Sequence, residues 1–341
     1  NFVIPQNGGL WIAGDNVSVK TTALTTDSEV SGHSGVDNTF YGSGLLVVGK
    51  LRVSAGSVDT QNSWEGLIFY PNVTAPEILI EGGNVTSIWL RDQYGSGKAS
   101  YIQTGGTATF TGLAAVGAKA RFGITGSDMT FQMSGGELIL GSDDTRAIDF
   151  IVASDESNYD VTGGKVIFNM DASGSTINTT ANLWNVEINS TSGNQTVTLA
   201  ADLDVGNNLI VDGNSTLDAD NTGNYNLTVG ANFEIENGGS YLPRSNLTTL
   251  DGDKESNISF GALQTFNNLT IDKLSSGDNQ INIVSGADPA IQVTGEFRVE
   301  SGLVEYNTFN IQAQGAVYLA DVIGSTSSTG SLLLDGGSSQ T

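Results

Sequence analysis

A four-residue motif that usually opens with Asn, followed by an aliphatic residue, recurs through the second half of the chain. Its copies start 23, 18, 20, 22, 22 and 20 residues apart, at Asn185, Asn208, Asn226, Asn246, Asn268, Ala290 and Asn310. A short segment that returns about every 21 residues is typical of a solenoid, in which each coil stacks the same strand on the previous one. The repeat therefore predicts a stacked-coil architecture.

The first half repeats a different part of the coil, a glycine followed two positions later by an apolar residue. These copies begin at Gly56, Gly83, Gly106, Gly136 and Gly164. Glycine is favoured where φ is positive, so each copy predicts a corner. The apolar residue two places later should point inward, because side chains alternate along a strand. Gly302-Leu303-Val304 carries the same pattern late in the chain.

Short apolar runs separated by Gly, Asn, Ser and Asp predict strands and turns, and no segment shows a helical period. Leucine-rich repeats of similar period need a regular leucine array and helical segments, which are missing. We therefore predict an all-β, right-handed parallel β-helix with coils of about 20 to 30 residues, the hand following the preference of parallel crossovers. Residues 1–180 should form longer, irregular coils, continuous with regular coils of about 21 residues over 181–341.

Stacked asparagines are the first candidate structural site. If the motif occupies one corner of successive coils, its amide side chains can bond to one another along the stack, as amides do in cross-β structures. The residues expected in this ladder are Asn185, Asn208, Asn226, Asn246, Asn268 and Asn310.

Aromatic side chains could line a platform for sugars, but most of them lie in the same strings as the aliphatic residues. The core or a stacked ladder is therefore the predicted place for most of Trp11, Trp64, Trp89, Trp184, Tyr94 and Tyr101.

Charge and composition limit the partners and cofactors. A net charge of −24 argues against nucleic acid and anionic membranes as partners, and no apolar run is long enough to insert into a membrane. The chain has no cysteine, so thiolate metal sites are excluded. Asp218 and Asp220 resemble the opening of a calcium loop, although the twelfth position is Val229 and not Glu. We expect no cofactor; calcium is the one ion with candidate ligands, and solvated turn carboxylates are the alternative.

Catalysis has few candidate residues. His33 is the only histidine, which excludes a multi-histidine metal site, and its Ser-Gly-His-Ser-Gly context predicts a surface loop. Some β-helix enzymes that degrade polysaccharides combine clustered carboxylates with a basic residue. The best match here is Arg146 near Asp143, Asp144 and Asp149. The prediction is that the chain is not an enzyme, with polysaccharide degradation kept as an alternative.

The stretch from Phe266 to Val304 resembles the repeats of very large surface proteins of Bacteroidota. It reads Phe266-Asn267-Asn268-Leu269-Thr270-Ile271-Asp272, then Ile281-Asn282-Ile283, Ile291-Gln292-Val293-Thr294-Gly295-Glu296-Phe297-Arg298-Val299 and Ser301-Gly302-Leu303-Val304. The surface proteins with this repeat pattern are adhesins exported to the cell surface, including gliding-motility adhesins delivered by type IX secretion.

The resemblance implies an extracellular, non-enzymatic stalk or adhesin segment at the cell surface. Its partners would be an extracellular surface, a polysaccharide, or further segments of the same surface protein. A self-assembling surface-layer or filament subunit is a second interpretation, since a solenoid with long side faces can also contact identical copies.

Overall fold

The chain folds as a parallel β-helix, as seen in a computed structural model. The structure describes residues 2–21, 44–60, 66–70, 75–92, 97–112, 120–142, 150–170, 174–190, 193–274, 280–285, 289–320 and 329–336. These ranges contain strands and a single 3₁₀ turn, Glu156–Asn158. Two compact units are formed, Asn1–Ala181 and Asn182–Thr341. The predicted all-β solenoid is confirmed.

The first unit contains strands β1 to β16, most of them three or four residues long. Their bounds are β1 Phe2–Ile4, β2 Gly9–Ile12, β3 Ser18–Lys20, β4 Gly44–Val47, β5 Lys50–Val53, β6 Ser57–Asp59, β7 Gly66–Phe69, β8 Glu77–Ile80, β9 Asn84–Ser87, β10 Leu90–Asp92, β11 Ser100–Phe110, β12 Phe122–Ile124, β13 Thr130–Ser142, β14 Phe150–Val152, β15 Tyr159–Met170 and β16 Ser175–Thr179.

Two parallel sheets run through this unit, and each coil adds one strand to both. The first sheet has the order β1-β4-β7-β10-β12-β14-β16, and the second has the order β2-β5-β8-β11-β13-β15. The short strands β3, β6 and β9 extend the second sheet and pair onward with the far half of β11. On either side of the register shifts at the glycine corners of β11, β13 and β15, equivalent residues form straight rows, one set pointing inward and one outward.

The glycine corners lie between the two halves of the second sheet. At Gly106 the backbone has a φ of +65°, and a Cβ there would lie 2.6 Å from the carbonyl oxygen of Gly83 in the preceding coil. The corner therefore needs glycine both for its backbone angle and for the close approach of the next coil. The residues predicted to point inward are all buried, and they are Val58, Val85, Ala108, Leu138, Val166 and Val304.

Aromatic rings fill the interior of the first unit. Tyr101 and Phe122 meet edge to face with ring centroids 5.0 Å apart, and Phe122 stacks on Phe150 at 5.3 Å. Phe168 continues the contact from Phe150 at 5.9 Å. Such pairs contribute about 0.5 to 1.5 kcal/mol each beyond the area that they bury. The core is thus a continuous row along the stack.

The second unit contains strands β17 to β35. Their bounds are β17 Asn185–Ser190, β18 Gln195–Leu199, β19 Leu203–Val205, β20 Leu209–Val211, β21 Ser215–Asp218, β22 Leu227–Val229, β23 Phe233–Ile235, β24 Ser240–Leu242, β25 Leu247–Leu250, β26 Ser256–Phe260, β27 Gln264–Phe266, β28 Asn268–Asp272, β29 Gln280–Ser285, β30 Ile291–Val293, β31 Phe297–Ser301, β32 Leu303–Glu305, β33 Ile311–Ala313, β34 Val317–Leu319 and β35 Leu332–Leu334.

Each coil of the second unit contributes three short strands, so the coil has three sides. One side is β17-β20-β23-β26-β29-β32, and another is β19-β22-β25-β28-β31-β34. The remaining strands form two shorter runs, β18-β21-β24 and β27-β30-β33-β35. Phe233, Phe260 and Phe266 are fully buried between these sides.

Candidate functional site: a cleft beside Trp11

The candidate site lies on the outer face of the second sheet of the first unit, at its first three coils. Gly9, Lys50 and Glu77 pair in register and form one outward row. Trp11 pairs with Arg52 in the next outward row, two residues further along each strand. Side chains two residues apart in a strand project from the same face, about 7 Å apart. An exposed aromatic residue and two cations therefore share this corner of the sheet.

Trp11 is an exposed and well-anchored side chain. The residue is 60% exposed, and its indole Nε1 donates a hydrogen bond of 2.8 Å to Ser54 Oγ. The Arg52 guanidinium lies over the ring, 4.7 Å from its centroid. Among the described strands of the second sheet, β2 is the edge strand, and its described neighbour is β5, which carries Arg52.

Exposure of Trp11 makes it an exception to the expectation for most of these aromatic residues. That expectation does hold for Trp89 and Tyr101, which are buried, while Trp184 is half-buried. Trp64 and Tyr94 lie outside the described residues. Trp11 differs because it occupies an outward position of its strand, with the buried Ile12 next to it pointing inward.

Both cations of this corner are paired with carboxylates one coil further along. Arg52 Nε and Nη2 donate to the two oxygens of Glu81 at 2.6 and 3.1 Å, and Lys50 Nζ lies 3.1 Å from Glu77 Oε2. The hydrogen bond from Arg52 lowers the pKa of Glu81, and the same bond raises the pKa of Arg52. The corner is therefore rich in donors and acceptors but locally neutral.

A cleft of about 460 Å³ has Gly9 of β2 and Lys50 of β5 in its lining, two residues before Trp11 and Arg52 on the same strands. Its lining residues are Asn7, Gly8, Gly9, Val48, Gly49, Lys50 and Ala75. Val48 also belongs to an apolar cluster outside the main core, formed with Leu46, Ile68 and Tyr70. The cleft thus combines an apolar wall with the Lys50 ammonium and the exposed side chain of Asn7. That mixture is typical of small-molecule sites, which measure roughly 300 to 1,000 Å³.

Three glycines shape the cleft in different ways. A Cβ at Gly49 would lie 2.2 Å from the Gly8 carbonyl oxygen, and one at Gly8 would lie 2.8 Å from the Pro5 ring, so both are required for close packing. At Gly9 the nearest atom would be the Lys50 carbonyl oxygen at 3.7 Å, an ordinary contact. The missing side chain of Gly9 therefore leaves space on the outer face that the fold itself does not need.

The six motif asparagines occupy three columns instead of the single ladder that the repeat predicted. Asn185 and Asn208 belong to the side of β17 and β20; Asn226, Asn246 and Asn268 belong to the side of β22, β25 and β28; and Asn310 precedes β33. Hydrogen-bonded neighbours on the first of these sides are 23 to 25 residues apart. The motif keeps to one corner from Asn226 to Asn268 and changes corner between Asn208 and Asn226, where the step of 18 residues is shorter than a coil.

One column does contain five stacked asparagines, three of which the motif missed. Asn208 Nδ2 donates to Asn185 Oδ1 at 3.1 Å, and Asn208 Oδ1 accepts the backbone N–H of Asn232 at 3.2 Å. Asn232 Oδ1 accepts the N–H of Asn257 at 2.8 Å, and Asn282 follows with its amide 3.4 Å from Asn257 Oδ1. A search for Asn at intervals of 23 to 25 residues could have found this column.

Of the other four motif asparagines, Asn246 donates to the Tyr225 carbonyl oxygen in the preceding coil, and three accept a backbone hydrogen bond from the next coil. Asn226 Oδ1 accepts the N–H of Leu247 at 3.0 Å, and Asn268 Oδ1 accepts the N–H of Glu296 at 2.8 Å. Asn310 Oδ1 accepts the N–H of Ser331 at 2.9 Å. The amide oxygens of these three residues connect coils, since each satisfies a backbone donor at the next strand.

The calcium candidates have internal partners. Arg244 donates to both oxygens of Asp218, at 2.7 and 2.6 Å, and Asp220 Oδ2 accepts the N–H of Gly223 at 2.6 Å. In the part of the chain that the structure describes, no group of three or more His, Cys, Asp or Glu side chains is placed to hold a metal ion. Asp218 therefore has a cation partner without calcium.

The catalytic alternative falls on residues that are not described. Asp143, Asp144, Arg146 and Asp149 lie outside the described ranges, as does His33. Within those ranges, no helix is long and apolar enough to cross a membrane.

Comparisons with known proteins yielded no relative. No protein-family model matches the chain, and no curated protein or solved structure matches it. The function of this chain is therefore inferred from its own geometry and charge.

Proposed function

We propose that this chain is a non-enzymatic segment of an extracellular cell-surface protein that attaches to a surface or to a polysaccharide. Its stacked coils act as a scaffold, and the outward rows of residues present similar side chains from one coil to the next. Adhesion of this kind depends on many weak contacts, each too weak alone to hold a partner.

The observation that carries this proposal is the in-register repetition of outward residues. Thr228 pairs with Thr249, and Thr249 with Thr270, so three threonines form one outward row in the second unit. Neighbouring strands are about 4.8 Å apart, which sets the spacing of the row. A long partner with a regular repeat of its own, such as a polysaccharide, can meet several of these positions at once.

Charge favours an uncharged or cationic partner over an anionic one. With a net charge of −24, the chain repels nucleic acids and acidic lipid surfaces, most strongly at low ionic strength. The same charge keeps copies of the chain apart in solution, which suits a protein displayed at high density.

The test is retention of beads coated with this chain on surfaces that carry immobilised polysaccharides, measured under flow. A globular protein of similar net charge is the matched control, because it separates the effect of stacked rows from that of charge. We expect retention on at least one polysaccharide for the chain and none for the control. Antibodies against the chain should also label intact producing cells.

Two results would overturn the proposal. The first is equal retention of the control and the chain, which would show that the stacked outward rows do not cause attachment. The second is the release of new reducing or unsaturated ends from the polysaccharide, measured over hours. That result would show that the chain is an enzyme, and the first candidate catalytic residues would be Asp143, Asp144, Arg146 and Asp149.

A second candidate, assembly with identical copies, is favoured by apolar exposure on the last strands of the second unit. Leu319 continues the inward row of the fully buried Val299 but is itself 47% exposed, and Leu334 is 59% exposed. Electron microscopy and sedimentation distinguish the candidates. Ordered filaments that are lost in a Leu319→Ser, Leu334→Ser variant support assembly, and monodisperse particles support attachment alone.

A further inference from the structure

We propose that the cleft at Gly9, together with the face of Trp11, is a binding site for an uncharged oligosaccharide built of hexose units. This inference rests on the proposed attachment function and names its ligand class and its place on the molecule.

The shape of the site fits a chain of sugar rings. Gly9 leaves a notch in the outward row that Lys50 and Glu77 continue, and Trp11 lies two residues further along the same strand. A ligand seated in the notch and extended along β2 would reach the indole. The cleft volume of about 460 Å³ accommodates more than a single ring.

Trp11 supplies the surface that recognises the apolar face of a sugar. Aromatic faces carry negative charge density and attract the polarised C–H groups that a pyranose ring presents on one face. The ring is held in place by its bond to Ser54 and by the Arg52 guanidinium on one side. Little side-chain entropy remains to be lost on binding, which favours affinity.

The charges around the cleft select against anionic sugars. Lys50 is paired with Glu77 and Arg52 with Glu81, so two cations and two carboxylates cancel locally. An anionic sugar would therefore meet no net positive charge at the cleft, and the whole chain carries −24. The same pairs offer donors and acceptors side by side, the arrangement that hydroxyl groups need because each both donates and accepts.

The experiment is titration of the ¹⁵N-labelled full chain with soluble cello-, manno- and laminari-tetraose, followed through the indole N–H resonances. Tetragalacturonate is the anionic comparison. The chain has four tryptophans, so a Trp11→Phe variant assigns the Trp11 signal. We expect that signal to shift with at least one neutral tetrasaccharide and to stay unchanged with tetragalacturonate.

Two variants locate the binding. Gly9→Val fills the notch at a position where a Cβ meets only ordinary contacts, and Trp11→Ala removes the aromatic face. Each should weaken binding about tenfold or more, which corresponds to loss of one central contact. Ser100→Val is the matched control, because Ser100 continues the Gly9 row beyond Glu77 and outside the cleft lining. Its affinity should equal that of the wild type.

The outcomes separate this inference from the attachment function. If beads are retained on a polysaccharide but Gly9→Val and Trp11→Ala are retained equally well, attachment stands and the cleft is not the site. If tetragalacturonate shifts Trp11 more than the neutral sugars do, the ligand class is wrong. If no polysaccharide retains the beads, the attachment function itself fails.

Discussion

The ammonium group of Lys273 reaches two coils back along the stack and donates a hydrogen bond of 2.8 Å to the carbonyl oxygen of Gly230, 43 residues earlier in the chain. It also donates to the carbonyl oxygen of Asp251 in the intervening coil. Lys273 is fully buried, and this burial lowers its pKa to about 8, although Asp251 and Asp253 oppose the shift.

The stability of the protein should therefore rise between about pH 8 and pH 10.5, relative to a Lys273→Met variant. In this window the unfolded chain still holds the lysine proton and the folded chain has released it, so raising the pH favours folding. The slope of the difference should approach about 1.4 kcal/mol per pH unit. Urea denaturation of both proteins across this range measures it, and parallel pH profiles would contradict the assignment.

Replacement of Gly106 by Ala should destabilise the first unit strongly. The new Cβ would lie 2.6 Å from the Gly83 carbonyl oxygen, at a φ of +65°. We expect a loss of about 2 kcal/mol or more in the free energy of unfolding. Gly123→Ala is the control, because its nearest contact would be Ala120 Cβ at 3.6 Å; a similar loss there would show that the corner is not special.

Removal of the Asn208 side chain should uncouple two coils of the second unit. Asn208→Ala leaves the N–H of Asn232 without its acceptor and removes one of the two side-chain amides that donate to Asn185 Oδ1. The expected cost is about 1 to 3 kcal/mol, because a half-buried donor is left unpaired. Asn208→Asp keeps the acceptor and should lose less. Equal effects of the two variants would mean that the backbone bond does not matter.

The Tyr241 hydroxyl joins a buried polar network that Phe cannot maintain. It lies 3.0 Å from Thr248 Oγ1 and accepts a hydrogen bond of 2.8 Å from Asn246 Nδ2. Tyr241→Phe should therefore cost about 1 to 3 kcal/mol of unfolding free energy. Tyr225→Phe, at a half-buried ring, is the comparison and should change stability by less. Thermal or urea unfolding measures both variants.

Local chemistry explains what could be predicted from the sequence. A positive φ needs glycine, and alternation in a strand sends every second residue inward, so the corners at Gly106 and Gly136 and the burial of Ala108 and Leu138 followed from the order of residues alone. The repeated motif likewise determined that the chain stacks parallel coils.

The tertiary structure decided which residues meet between coils. Lys50 and Glu77 are 27 residues apart and Arg52 and Glu81 are 29, whereas the glycine corners of this half recur at uneven intervals. A change of one residue in the length of a turn turns a side chain to the opposite face of its strand. The outward position of Trp11 and the division of the motif asparagines among three columns therefore depend on the lengths of the coils. Those lengths are determined only by how the coils pack.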